Sequence, residues 1–130
     1  MSDDELKIVD WVHFERSRAE LGAGFIRILS YFREDGAKSV AQIEEAMHDQ
    51  NTAALVLPAH TIKGEARQFG AEPLGALAEE IEFTARRAIE MGFFPDEILP
   101  SVARLRPLYL ETMNQLEAEA NPLVRRRATS

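Results

Sequence analysis

The chain has 130 residues, 45% of them apolar and 28% charged, with no cysteine and a formal net charge of −7. That is the balance of one globular domain, and the absence of thiols excludes disulfides, thiolate metal sites and cysteine nucleophiles. The acidity argues against nucleic acid as a partner, which would need a basic face, and the uncharged runs fall far short of the ~20 residues a bilayer requires. With an acidic N-terminus where a secretion signal would be basic, the expected location is the cytoplasm.

In chain order the apolar spacing reads as helices throughout, with no sustained strand-like alternation. A short first helix is expected from Asp4 to about Glu15, with Leu6, Val9 and either Ile8 or Val12 turned inward. A long second helix follows from about Gly24 to His48, where Phe25, Ile28, Leu29, Phe32, Val40, Ile43 and Met47 recur at helical spacing and Gly36 marks a candidate bend. "HDQNT" is a turn, after which Asn51 or Thr52 is positioned to cap a third helix ending near Phe69. "GAEP" breaks the chain before a fourth helix with Pro73 in its first turn and an end near Met91. After "GFFPDE", Asp96 is the expected cap of a fifth helix reaching Ala120, kinked or interrupted at Pro107. The predicted fold is all-α: an antiparallel four-helix bundle with an additional short N-terminal helix, as one domain over residues 1–120. Residues 121–130, with Arg125, Arg126 and Arg127, read as a flexible C-terminal tail.

The third helix carries the chemistry. At about 100° per residue, Leu55, Ala59, Ile62, Ala66 and Phe69 form its core stripe. His60 points about 140° away from that stripe, with Lys63, Gly64 and Arg67 beside it at the spacings that are neighbours on a helix surface. Ala53 and Val56 share this face and Leu57 flanks it, so the surface is mildly apolar with a basic centre, the makeup of a docking patch. Glycine weakens a helix interior by about 1 kcal/mol relative to alanine, so Gly64 needs a reason, and clearance for something approaching the imidazole supplies one. An exposed imidazole titrating near about 6.5 is substantially neutral at pH 7 and offers a nucleophilic lone pair. Lys63 and Arg67 would supply positive charge for a phosphoryl group. To hold one tautomer the second ring nitrogen needs an acceptor. In the fourth helix, Leu74, Leu77, Ala78, Ile81, Ala85 and Ala88 form the core stripe, and Glu82 on its border is the candidate.

Ala59-His60-Thr61-Ile62-Lys63-Gly64, followed by Phe69-Gly70-Ala71 and Leu74, resembles the signature of histidine-containing phosphotransfer (HPt) domains of phosphorelays. The resemblance implies His60 as the phosphoacceptor, Lys63 as the phosphate-stabilising cation, Gly64 as clearance for the partner and Glu82 as the residue that orients the imidazole. It implies receiver domains of response regulators or a hybrid histidine kinase as partners, docking over Ala53, Val56, Leu57, Gly64 and Arg67. It further implies a monomer that needs no cofactor of its own, the Mg²⁺ for transfer being bound by the receiver. The lack of a Gly-rich nucleotide loop agrees with a carrier that does not itself use ATP. Two positions depart from the family pattern. Glu65 stands where a small hydroxyl residue is common, and Pro58 lies two residues before the histidine.

Two rival readings remain open at the level of sequence. A non-phosphorylated adaptor would use the same face only for docking. Glu45 and His48 have the Glu-x-x-His spacing of di-iron carboxylate bundles, but the chain has no second copy of it.

Overall fold

In the computed structural model, residues 7–121 are described. Leu6 and the Arg125–Arg127 run of the expected tail lie outside them. Helix α1 spans Trp11–Leu21 and passes through a 3-10 turn, Gly22–Gly24, into α2, Phe25–His48. Helices α3, Ala53–Gln68, and α4, Glu72–Met91, follow, and a second 3-10 turn, Asp96–Ile98, leads into α5, Leu99–Ala120. Helices α2 to α5 form the bundle: α3 and α5 each pack on both α2 and α4, so α3 and α5 sit diagonally opposite.

Helix ends depart from the sequence expectation where capping chemistry intervenes. Asp10 has an extended backbone, and its carboxylate accepts from the amides of Val12 and His13, so α1 starts at Trp11 rather than near Asp4. Val9 is buried and Ile8 half-buried, whereas Val12 is exposed. Asn51, not Thr52, supplies the cap of α3, accepting from the Ala54 amide at 3.2 Å. Asp96 opens the 3-10 turn instead of capping α5, whose first turn carries Pro100. Pro107 does not interrupt α5, which continues to Ala120.

Gly36 owes its place to packing. A Cβ there would come within 2.5 Å of Tyr109 Cε1, so the glycine lets the α5 tyrosine lie against α2 and donate its hydroxyl to the Arg33 carbonyl. The core is aromatic at this level. Trp11, Phe14, Phe25 and Phe69 meet edge to face in succession, Phe69 stacks on Phe32 with centroids 5.6 Å apart, and Phe32 meets Tyr109 edge-on. This chain of rings joins α1 to the bundle.

Helix α1 lies across the α3–α4 turn. The Asp10 amide donates to the Gly70 carbonyl at 2.8 Å, and Ser17 donates to the Gln68 carbonyl. Gly70 has φ +81°, and a Cβ would meet the Asp10 carbonyl at 2.7 Å, so both backbone conformation and close approach require glycine there. The short connection holds α3 and α4 as a tight antiparallel pair, with the middle of one beside the middle of the other. No helix among the described residues is long and apolar enough to cross a membrane.

Candidate functional site

The expected core stripe of α3, Leu55, Ala59, Ile62, Ala66 and Phe69, is buried, as are Leu74, Leu77, Ala78, Ile81, Ala85 and Ala88 of α4. This rotational setting turns His60 outward with its side chain 56% exposed. On the facing helix it brings Glu82 alongside. Glu82 is buried rather than on the border, its side chain only 7% exposed. The antiparallel pairing places two residues 22 apart in the chain side by side: His60 Nδ1 lies 3.0 Å from Glu82 Oε2.

A carboxylate so withdrawn from water must have partners. Oε2 also accepts from Arg86 Nε at 2.9 Å, and Lys63 Nζ lies 2.8 Å from Oε1. Burial would push the Glu82 carboxyl up, but the bonds from Lys63, Arg86 and His60 outweigh it and hold the carboxyl down at about 2. Glu82 is therefore ionised at neutral pH and can only accept. In the neutral imidazole the proton therefore sits on Nδ1, facing Glu82, and the lone pair is on Nε2.

Lys63 is less than a third exposed and sits on Glu82 instead of reaching freely into solvent. Arg67, placed by the sequence on the same face, is held from α4 by Glu72 at 2.9 Å and Glu79 at 2.7 Å. It lies across Gly75, where a Cβ would come within 2.9 Å of its Cγ. Around the imidazole, Ala53, Leu57 and Gly64 are exposed and Val56 is half-buried. Arg86, the third partner of Glu82, is the residue that the motif does not announce. Its only sequence signal is the i, i+4 spacing from Glu82 on one helix.

A Cβ at Gly64 would meet nothing within 4 Å, so packing within the chain does not require this glycine. Gly64→Ala is accordingly expected to raise stability by about 0.5–1 kcal/mol, read as a higher urea midpoint with unchanged slope. An unchanged or lower midpoint would show that an internal constraint acts there.

Glu65 faces away from His60. Its Oε1 is fully buried and makes no hydrogen bond among the described residues. Burial, reinforced by the Asp35 charge, pushes its carboxyl up to about 7. In an unfolded chain the group ionises near 4.5. Between these values the native state holds a proton that the unfolded chain has released, so stability falls as pH rises through the window and levels off above it. Glu65→Gln, which resembles the protonated form, is expected to remove this loss. Above pH 7 it should exceed the native protein by on the order of 1 kcal/mol, the open side of the carboxyl being screened by solvent. Parallel urea-midpoint profiles from pH 5 to 8 would contradict this.

His48 lies 3.1 Å from its neighbour Asp49, and among the described residues no three histidine or carboxylate groups converge as a metal site would need.

Comparison with known proteins shows the family and the fold. A family model described as "Hpt domain" matches residues 27–119, from early α2 to the end of α5. The chain belongs to the Hpt domain family. As an Hpt domain it is a histidine phosphotransfer protein, and the match covers the whole α3–α4 pair that carries His60 and Glu82. Its fold is similar to that in the crystal structure of histidine-containing phosphotransfer protein B (HptB) from Pseudomonas aeruginosa PAO1. The TM-score is 0.76 at 18% identity, covering 86% of this chain and 93% of that one. No curated protein matches the chain.

Proposed function

We propose that this Hpt domain carries a phosphoryl group on His60 between the aspartates of receiver domains, acting as a cytoplasmic monomer. The observation that carries the reading is the bond from His60 Nδ1 to an ionised, buried Glu82, which leaves Nε2 as the nucleophile of an exposed ring. In the transfer, the Nε2 lone pair attacks the phosphorus of an aspartyl phosphate. The P–O bond breaks with its electrons passing to the aspartate, and an N–P bond forms. Nδ1 keeps its proton, the ring gains positive charge, and Glu82 stabilises it. The reverse step returns the group to a second aspartate. Lys63 shares its charge between Glu82 and the incoming group, whose oxygens a Mg²⁺ ion held by the receiver would further neutralise.

Docking over Ala53, Val56, Leu57, Gly64 and Arg67 would bring the receiver's aspartate to His60, and the empty space over Gly64 supports the clearance role. Incubation with phosphorylated receivers of the source organism is the test, and an acid-labile, alkali-stable label on this chain is the expected result. A receiver that binds without transferring label would instead favour the adaptor reading, and no label from any receiver would overturn the proposal.

Glu82→Ala and Lys63→Ala are each expected to slow transfer about ten- to a hundredfold, because supporting partners tune a reacting group more than they permit it. Transfer kinetics together with circular dichroism check this. Unchanged rates in both variants would remove the assigned roles.

A further inference from the structure

The buried Glu82 carboxylate is shared unevenly. Oε1 has Lys63, whereas Oε2 is bonded both to His60 Nδ1 and to Arg86 Nε, at 3.0 and 2.9 Å. Arg86 follows Glu82 by one helical turn, so its guanidinium approaches along α4 while the imidazole approaches from α3. With its side chain 57% exposed, it extends over the carboxylate from the solvent side.

We propose that Arg86 is a positioning residue for phosphotransfer: it pins Glu82 Oε2 against His60 Nδ1 and offsets the carboxylate charge, so that Nε2 remains unprotonated and nucleophilic. The inference rests on the reading of His60 as phosphoacceptor and adds a residue to it.

The physical case is a charge count. A lone buried carboxylate beside an imidazole favours the imidazolium, in which Nε2 is protonated and has no lone pair to give. Here Glu82 contributes −1, and Lys63 and Arg86 contribute +1 each, so the cluster already carries a net positive charge before the ring takes up a proton. A third positive charge is opposed. Glu72 and Glu79 of α4 with Arg67 of α3 make a neighbouring group of net charge −1 whose members are bonded to one another, so the cations in contact with Glu82 itself remain Lys63 and Arg86. Lys63 divides its charge between Oε1 and the incoming phosphoryl oxygens, whereas Arg86, bonded to Oε2, is committed to the carboxylate.

Three proteins are compared, the native chain, Arg86→Gln and Arg86→Lys, by NMR titration of the His60 ring and by the pH profile of transfer from one phosphorylated receiver. Arg86→Gln is expected to raise the midpoint of the His60 titration by about one pH unit, moving the acidic limb of the rate profile with it. Below the native midpoint this is about a tenfold loss of rate that recovers as pH rises. Arg86→Lys should restore most of the shift, since it returns the charge without the guanidinium geometry. A residue that merely supported the fold would lower the rate equally at every pH, and an unmoved midpoint with an unmoved profile overturns the proposal. If the native protein takes no label while the Arg86→Gln titration still moves, the function falls and the charge offset stands.

Discussion

Replacing His60 by glutamine is expected to abolish phosphoryl labelling while leaving the bundle folded. The carboxamide has no nucleophilic lone pair comparable to that of imidazole Nε2, so the N–P bond has no atom on which to form. The loss should reach at least about three orders of magnitude in transfer rate. The fold has little reason to respond. The side chain is more than half exposed, and Glu82 keeps Arg86 on Oε2 and Lys63 beside Oε1 when the imidazole is removed, so no buried carboxylate is orphaned. Stability should stay within about 0.5 kcal/mol of the native value. Radiolabel from a phosphorylated receiver, followed alongside urea unfolding, separates the two effects. A His60→Gln protein that still takes label would move the phosphoacceptor elsewhere in the chain.

The largest expected loss of stability lies at Phe69. Its ring is fully buried at the end of α3, edge-on to Phe25 and stacked on Phe32, both of α2. Phe69→Ala removes the ring from the centre of the aromatic chain that links α1, α2 and α3. The helices around it are held by the tight α3–α4 turn and by α1 crossing it, so the cavity cannot collapse fully. A cost of about 3–5 kcal/mol is expected from lost transfer energy and the remaining void. Against a total stability of about 5–15 kcal/mol for such a domain, that is enough to leave a substantial unfolded fraction on mild warming. Phe69→Leu, which keeps most of the volume, should cost appreciably less, and equal losses in the two variants would argue against the cavity account. Because Phe69 precedes the Gly70-Ala71 turn that sets the α3–α4 pairing, its effect on transfer should follow the fraction folded rather than any direct role at His60.

Helix number and identity, the core stripes of α3 and α4, and the outward setting of His60 were all legible in the sequence, because each follows from the 3.6-residue period of apolar side chains within one helix. Helix boundaries were less so. Asp10 and Asn51 compete with neighbours of similar capping propensity, and the choice depends on whether the preceding backbone is free to extend. At Asp10 it is, because the amide is drawn to the Gly70 carbonyl by packing 60 residues away in the chain. Gly36 likewise shows in the sequence only as a candidate bend, its reason being a tyrosine on α5.

The amino-acid sequence by itself determined the motif around His60, the helical periods that turn it outward, and the presence of an acidic residue on α4 positioned to meet it. Only the tertiary structure decided that Glu82 is buried, that one carboxylate gathers His60, Lys63 and Arg86, and that Arg67 is held by Glu72 and Glu79. The reason is that these are relations between two helices. Their depth, rotation and offset are set by the α3–α4 turn and the core beneath it, and no period within a single helix encodes them.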